Sequence, residues 1–125
     1  MEQNEITLRM EAKSDYLHVH TIGVRSRDTV KKISMQVFDA ALEKRLSKVL
    51  VDVRKLNGKF GFTDIHYLVT QVMEELREKG IDQVAVIDIQ RILGQEWFLE
   101  MVAQSHGFNF RVFSEEESAK KWLEV

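Results

Sequence analysis

Two short runs of mostly consecutive apolar residues, Lys48 to Val53 (KVLVDV) and Gln83 to Ile89 (QVAVIDI), constrain the architecture more than any other part of this chain. A strand with one face in water alternates apolar and polar residues. A strand that is apolar throughout has both faces covered, the condition of inner strands in a parallel α/β sheet. Between the runs lies a helical pattern, with Ile65, Leu68, Val69, Val72 and Leu76 at spacings of three and four. Thr63 is placed to cap that helix and Gly80 to stop it. Strand, helix, strand in this order requires a right-handed crossover and parallel pairing.

The flanks extend the pattern. Ile6, Leu8 and Met10 alternate with Thr7, Arg9 and Glu11, the period of a half-buried strand, and Ser14-Asp15 turns the chain into a second strand, Tyr16 to Ile22. A first helix, capped by Asp28 and reaching about Ser47, carries Val30, Ile33, Val37, Phe38 and Ala41 on one stripe. A third helix covers roughly Gln95 to His106, with Gly107 at its end. Phe108, Phe110 and Val112 mark a last strand. Ser114 and Glu117 form a capping box for a short final helix bearing Ala119, Trp122 and Leu123. The expected fold is α/β, with a mixed, mostly parallel five-stranded sheet, an antiparallel edge and about four helices. No linker, repeat or low-complexity segment interrupts it, so residues 1–125 read as a single domain.

Composition narrows the function classes. The chain has no cysteine, which removes disulfides, thiol catalysis and cysteine-ligated metals. A net charge of −2 argues against dedicated nucleic-acid binding. Met1 to Glu11 has no apolar stretch of signal-peptide length, and no run approaches the length of a membrane span, so the expected location is the cytoplasm. No Gly-rich phosphate loop, nucleophile elbow or HExxH motif occurs, so no enzyme activity and no cofactor is expected.

This order of elements resembles the STAS-like superfamily, the fold of the SpoIIAA-like anti-sigma-factor antagonists. Lys48 to Gly58 (KVLVDVRKLNG) is similar to that family's central strand with its acidic end and loop. Gly107 to Leu123 (GFNFRVFSEEESAKKWL) is similar to the ending of a bacterial SpoIIAA-like group that is also compared with CRAL-TRIO lipid-transfer domains. Phosphorylatable antagonists carry an Asp-Ser pair at the start of the helix after the central strand. Here that region reads Lys59-Phe60-Gly61-Phe62-Thr63-Asp64, so the phosphorylation switch does not carry over. The CRAL-TRIO-like side of the resemblance implies a cleft for a small apolar ligand or a membrane-associated role.

The residues themselves point to a place for it. On the third helix Leu93, Trp97, Phe98, Leu99, Met101 and Val102 cover more of the circumference than packing on a sheet requires, leaving Glu96, Glu100 and Gln104 a narrow strip. Ile89 and Ile92 add to this in the preceding loop. Such a surplus suits a hydrophobic cleft, a membrane face or a dimer interface; burial by Trp122 and Leu123 is the structural alternative. Phe60 and Phe62 flank Gly61 beyond the carboxyl end of the central strand, where open α/β sheets bind ligands. The candidate ligand cleft is therefore Phe60, Phe62, Ile92, Trp97, Phe98 and Met101. Arg25, Arg27, Lys31 and Lys32 cluster near the first helix start and suit an anionic group.

Asp52 and Asp88, at or near the ends of the two buried strands, are expected to accept hydrogen bonds from loop amides rather than to act as an acid–base pair. His18 and His20 share one strand face but lack a third metal ligand nearby in sequence, so a solvated face is expected of them. The partners these features suggest are a small apolar or amphipathic ligand, a membrane surface touched peripherally, or a second copy or regulatory protein docking on the same apolar surface.

Overall fold

A computed structural model describes residues 6–58, 61–74, 78–88 and 95–125. Strands β1 (Ile6–Ala12) and β2 (Leu17–Val24) form the expected antiparallel hairpin, closed by Lys13 N–H donating to the Tyr16 carbonyl at 2.8 Å. Helix α1 (Arg27–Lys44) leads to β3 (Lys48–Asn57), and α2 (Phe62–Tyr67) runs on as a π-helical turn, Leu68–Val72. Then come β4 (Gln83–Ile87), α3 (Gln95–Ser105), β5 (Phe110–Phe113) and α4 (Glu116–Leu123). The strand order is β1-β2-β3-β4-β5, with every pair after the hairpin parallel.

This monotonic order decides where the helices lie. Each right-handed crossover steps the same way across the sheet, so α1, α2 and α3 share one face. Val37, Phe38 and Ala41 of α1, Val69 and Val72 of the π turn, and Ala103 of α3 accordingly pack with Val19, Val49, Val84 and Val112 of the sheet. Among the described residues the opposite face falls to α4, whose Ala119 and Leu123 bury Leu50, Ala85 and Ile87. Lys48 Nζ donates to the Leu123 carbonyl at 2.6 Å and Gln83 Nε2 to that of Trp122 at 3.3 Å. These bonds satisfy carbonyls that the end of α4 would otherwise leave unpaired.

The caps differ from expectation. Ser26, not Asp28, caps α1: its Oγ accepts from Thr29 N–H at 3.2 Å, while Thr29 Oγ1 accepts from Ser26 N–H at 2.9 Å. Gly61, not Thr63, caps α2, and Asp64 accepts from the Gly61 N–H at 3.1 Å. Glu115 stands at the start of α4 without a side-chain cap bond, in place of the expected Ser114–Glu117 box. The polar strip of α3 serves the edge strand: Glu100 accepts from Val112 N–H at 2.6 Å and Gln104 donates to the Phe110 carbonyl at 3.2 Å. It thereby occupies backbone groups on an edge that would otherwise invite pairing with another chain.

Candidate functional site

Val51 of β3 and Val86 of β4 pair side by side in the middle of the sheet, on the face that three helices overlie. Both are nonetheless only half-buried. The helices stand off from the sheet at this point, and the space between is a cavity of about 160 Å³. Val51, Val86 and Val112 form its floor, Ile33 and Val37 of α1 and Ile65 of α2 its roof, and Leu99 of α3 one wall. A cavity of this size with apolar walls is comparable to one that admits a single aromatic ring, about 150 Å³.

One end of the cavity is polar. Arg25 immediately follows β2 and Asp88 immediately follows β4, so both stand at the carboxyl edge of the parallel strands. Both line the cavity, together with Thr21. Arg25 Nη1 lies 3.8 Å from Asp88 Oδ2, Nη2 donates to the Leu56 carbonyl at 3.4 Å, and Nε is buried without a hydrogen-bond partner. Just beyond β3, Gly58 packs against Arg25; its φ of +88° and the 3.2 Å that a Cβ there would leave to the Arg25 carbonyl favour glycine at this position. Arg25 N–H donates to the Asn57 carbonyl at 2.9 Å, fixing that contact.

Of the aromatic residues singled out from sequence, Phe62 and Phe98 meet each other where α2 faces α3, and neither lines the cavity. Phe62, at the start of α2, meets Phe98 of α3 with ring centroids 4.8 Å apart and an angle of 55°. Leu99 turns to the cavity and Ala103 to the core, whereas Met101 remains 49% and Phe62 56% exposed. Part of the apolar surplus of α3 thus packs inward and part faces solvent. Phe60 and Ile92 and the Trp97 side chain lie outside the described residues.

The basic cluster separates. Arg25 turns inward as described. Arg27 bonds Asp64 through Nη2 at 2.9 Å and Nε at 3.0 Å, and stacks over Tyr67 at 4.8 Å, stapling α1 to α2. The Gly61 amide and then Arg27 hold the Asp64 carboxyl below its usual range. Lys31 and Lys32 stay exposed on α1.

Asp52 and Asp88 do not form a pair. Asp52 stands in register with Ile87 and faces α4, whereas Asp88 faces the cavity. The β2–β3 register slips between His20 and Ile22, placing an extra residue in β3. Asp52 accepts the Arg54 N–H at 3.0 Å and its guanidinium at 2.6 Å there, and Thr21 Oγ1 donates to the Asp52 carbonyl at 2.8 Å. Asp52 therefore satisfies the bulge. The histidines overturn their expectation of a solvated face: His18 is only 5% exposed, because α4 and the neighbouring His20 cover it, and the two rings stack 4.3 Å apart. Among the described residues no helix is long and apolar enough to cross a membrane.

Over residues 16–124 the sequence matches the SpoIIAA-like family. No protein of curated function matches it. Among solved structures, an uncharacterized DUF3478 protein with a SpoIIAA-like fold from Shewanella loihica PV-4 is similar, with TM-score 0.59 and 21% identity over 98% of each chain. An anti-sigma factor antagonist from Mycobacterium paratuberculosis superposes with TM-score 0.63 at 14% identity, covering 97% of this chain and 96% of its own. The anti-sigma factor antagonist SpoIIAA in its unphosphorylated form gives 0.58 at 12%, covering 95% and 98%. These likenesses concern the fold. The match along nearly the whole sequence, on a sheet of this order covered by three helices on one face and one on the other, makes the chain a member of the SpoIIAA-like family.

Proposed function

We propose that this chain is a single, non-catalytic SpoIIAA-like domain that binds a small apolar or amphipathic ligand between its sheet and helices α1–α3. The observation that carries this reading is the cavity of about 160 Å³, with mostly apolar walls and polar side chains at Arg25, Asp88, Thr21 and Ser34. Ligand pockets commonly combine apolar walls with a few convergent polar groups. The volume suits a single ring or a short alkyl chain rather than a whole phospholipid. Phe62 and Phe98 would flank the opening, with Met101 beside them.

Native mass spectrometry of freshly purified protein, with solvent extraction of what it carries, tests the reading. A ring- or short-chain-sized adduct released on denaturation is the expected result. Protein that purifies bare and shows no thermal stabilisation by single-ring carboxylates or alcohols refutes it.

A second reading has its own support. Two solved relatives of the fold are anti-sigma factor antagonists, and Phe62 and Met101 present apolar surface to solvent. A protein-interaction or homodimerisation role predicts a concentration-dependent sedimentation coefficient that Phe62→Ser abolishes. Peripheral membrane contact through Lys31 and Lys32 predicts flotation with anionic vesicles that falls with salt.

A further inference from the structure

The sheet face opposite the cavity carries a cluster that the ligand reading does not use. Glu11 of β1 is the direct cross-strand partner of His18 in β2, and His20 lies two residues along the same face. One potential ligand atom from each of Glu11, His18 and His20 falls within 4.8 Å of the others. His20 Nε2 is 3.9 Å from Glu11 Oε1, and the two imidazoles stack at 4.3 Å with 25° between planes. His18 is buried, and its Nε2 has no hydrogen-bond partner.

We propose that Glu11, His18 and His20 form a binding site for a divalent transition-metal ion of the zinc type. Two imidazoles and a carboxylate are a ligand set that zinc accepts, with a further position left to solvent. Bond lengths of about 2.0–2.2 Å place tetrahedral ligands roughly 3.3 Å apart, so the three groups need only side-chain rotation to close on an ion. Coordination through Nε2 gives His18 the partner it lacks, and separates by a cation two rings that are otherwise stacked face to face.

Burial, and then the charge of His20, hold the His18 pKa below its ordinary value of 6.5. Surrounding charge is mixed. Glu116 at the start of α4 and Asp52 of β3 add negative charge near His18 and His20 respectively. Lys120 opposes binding, and Lys13, 3.7 Å from Glu11, must swing away. Arg54 is already engaged by Asp52 and Glu116. The antiparallel register, rather than any sequence motif, assembles the three ligands.

Tag-free protein stripped with chelator and titrated calorimetrically with zinc should bind one equivalent and melt at a higher temperature. Cobalt(II) should give the visible ligand-field bands of a four- or five-coordinate ion. His20→Gln and Glu11→Gln change half-buried and exposed side chains, and each should weaken zinc binding at least about tenfold while leaving the metal-free melting temperature unchanged. His106→Gln, in the turn just after α3, should change neither. Zinc that binds the His20→Gln/Glu11→Gln double variant as tightly as the parent, or no stoichiometric binding at neutral pH, overturns the site. The cavity variant Val51→Phe should retain zinc, so loss of one site is separable from loss of the other.

Discussion

Replacing Val51 with phenylalanine distinguishes a true cavity from a well-packed interior by the sign of the stability change. Val51 sits on the cavity floor in the central strand, half-buried although helices lie over it. In a filled core the larger ring would force strain, costing about 1–3 kcal/mol. In a cavity of about 160 Å³ the ring has room. It then removes on the order of 50 Å² of additional apolar surface from water, a gain of about 1 kcal/mol at roughly 25 cal/mol per Å². Urea unfolding of parent and variant, fitted with a common slope, reads the difference as a shift in midpoint. The ligand arm is read on the same samples. A single-ring carboxylate present at about 100 times its Kd should stabilise the parent by about 2.7 kcal/mol and the variant hardly at all. A variant destabilised by about 2 kcal/mol or more, or one that keeps the full ligand effect, refutes the reasoning.

Other expectations follow from the same geometry. Arg25→Met should weaken binding of a ring-sized carboxylate by about tenfold or more relative to the corresponding alcohol, as loss of a charge-assisted bond does, measured by calorimetry. Leu123→Ala should cost about 3 kcal/mol in urea unfolding, because Leu123 is fully buried where α4 meets the sheet. Arg45, exposed with φ of 59° at the end of α1, should gain up to about 1 kcal/mol on replacement by glycine. In chelator, stability should fall as pH drops from about 6.5 towards the lowered native pKa of His18, since the unfolded chain takes up that proton first, and His18→Gln should remove this part of the slope. A second fall should begin near pH 4.5, where the carboxylates of Glu116 and Asp52 are protonated first in the unfolded chain. The Lys120 bond lowers Glu116, and for Asp52 the bonds from Arg54 outweigh a burial that alone would raise it.

The elements were legible where local pattern and long-range packing agree. KVLVDV and the QVAVI part of the second run became inner strands because apolar residues on both faces found cover on both faces. The stripe on α1 likewise turned its Val37, Phe38 and Ala41 inward. Caps were less legible, since Ser26 and Asp28 are both good capping residues and only the reciprocal bond with Thr29 selects between them. The π turn at Leu68–Val72 has no signature in apolar spacing. The cavity was invisible for a related reason: valines that contact a roof and valines beneath a gap are the same letters. Of the apolar residues singled out on α3 and at the start of α2, Leu99 lines it, whereas Phe62, Phe98 and Met101 do not. Glu11 could not be joined to His18 and His20 by sequence spacing, although the alternation and the Ser14-Asp15 turn already implied the register that brings them together.

The succession of strands across the sheet has a consequence for how the chain emerges during synthesis. The face that α1, α2 and α3 protect can be covered as each crossover is completed, but Leu50, Ala85 and Ile87 wait for the last helix. A nascent chain arrested before residue 116 would carry a nearly complete sheet with an apolar stripe on one side, the kind of surface that chaperones hold and that aggregates when they do not. Premature stop codons in the final segment should therefore yield insoluble or rapidly degraded protein, even though they spare every residue of the cavity and every ligand of the proposed metal site.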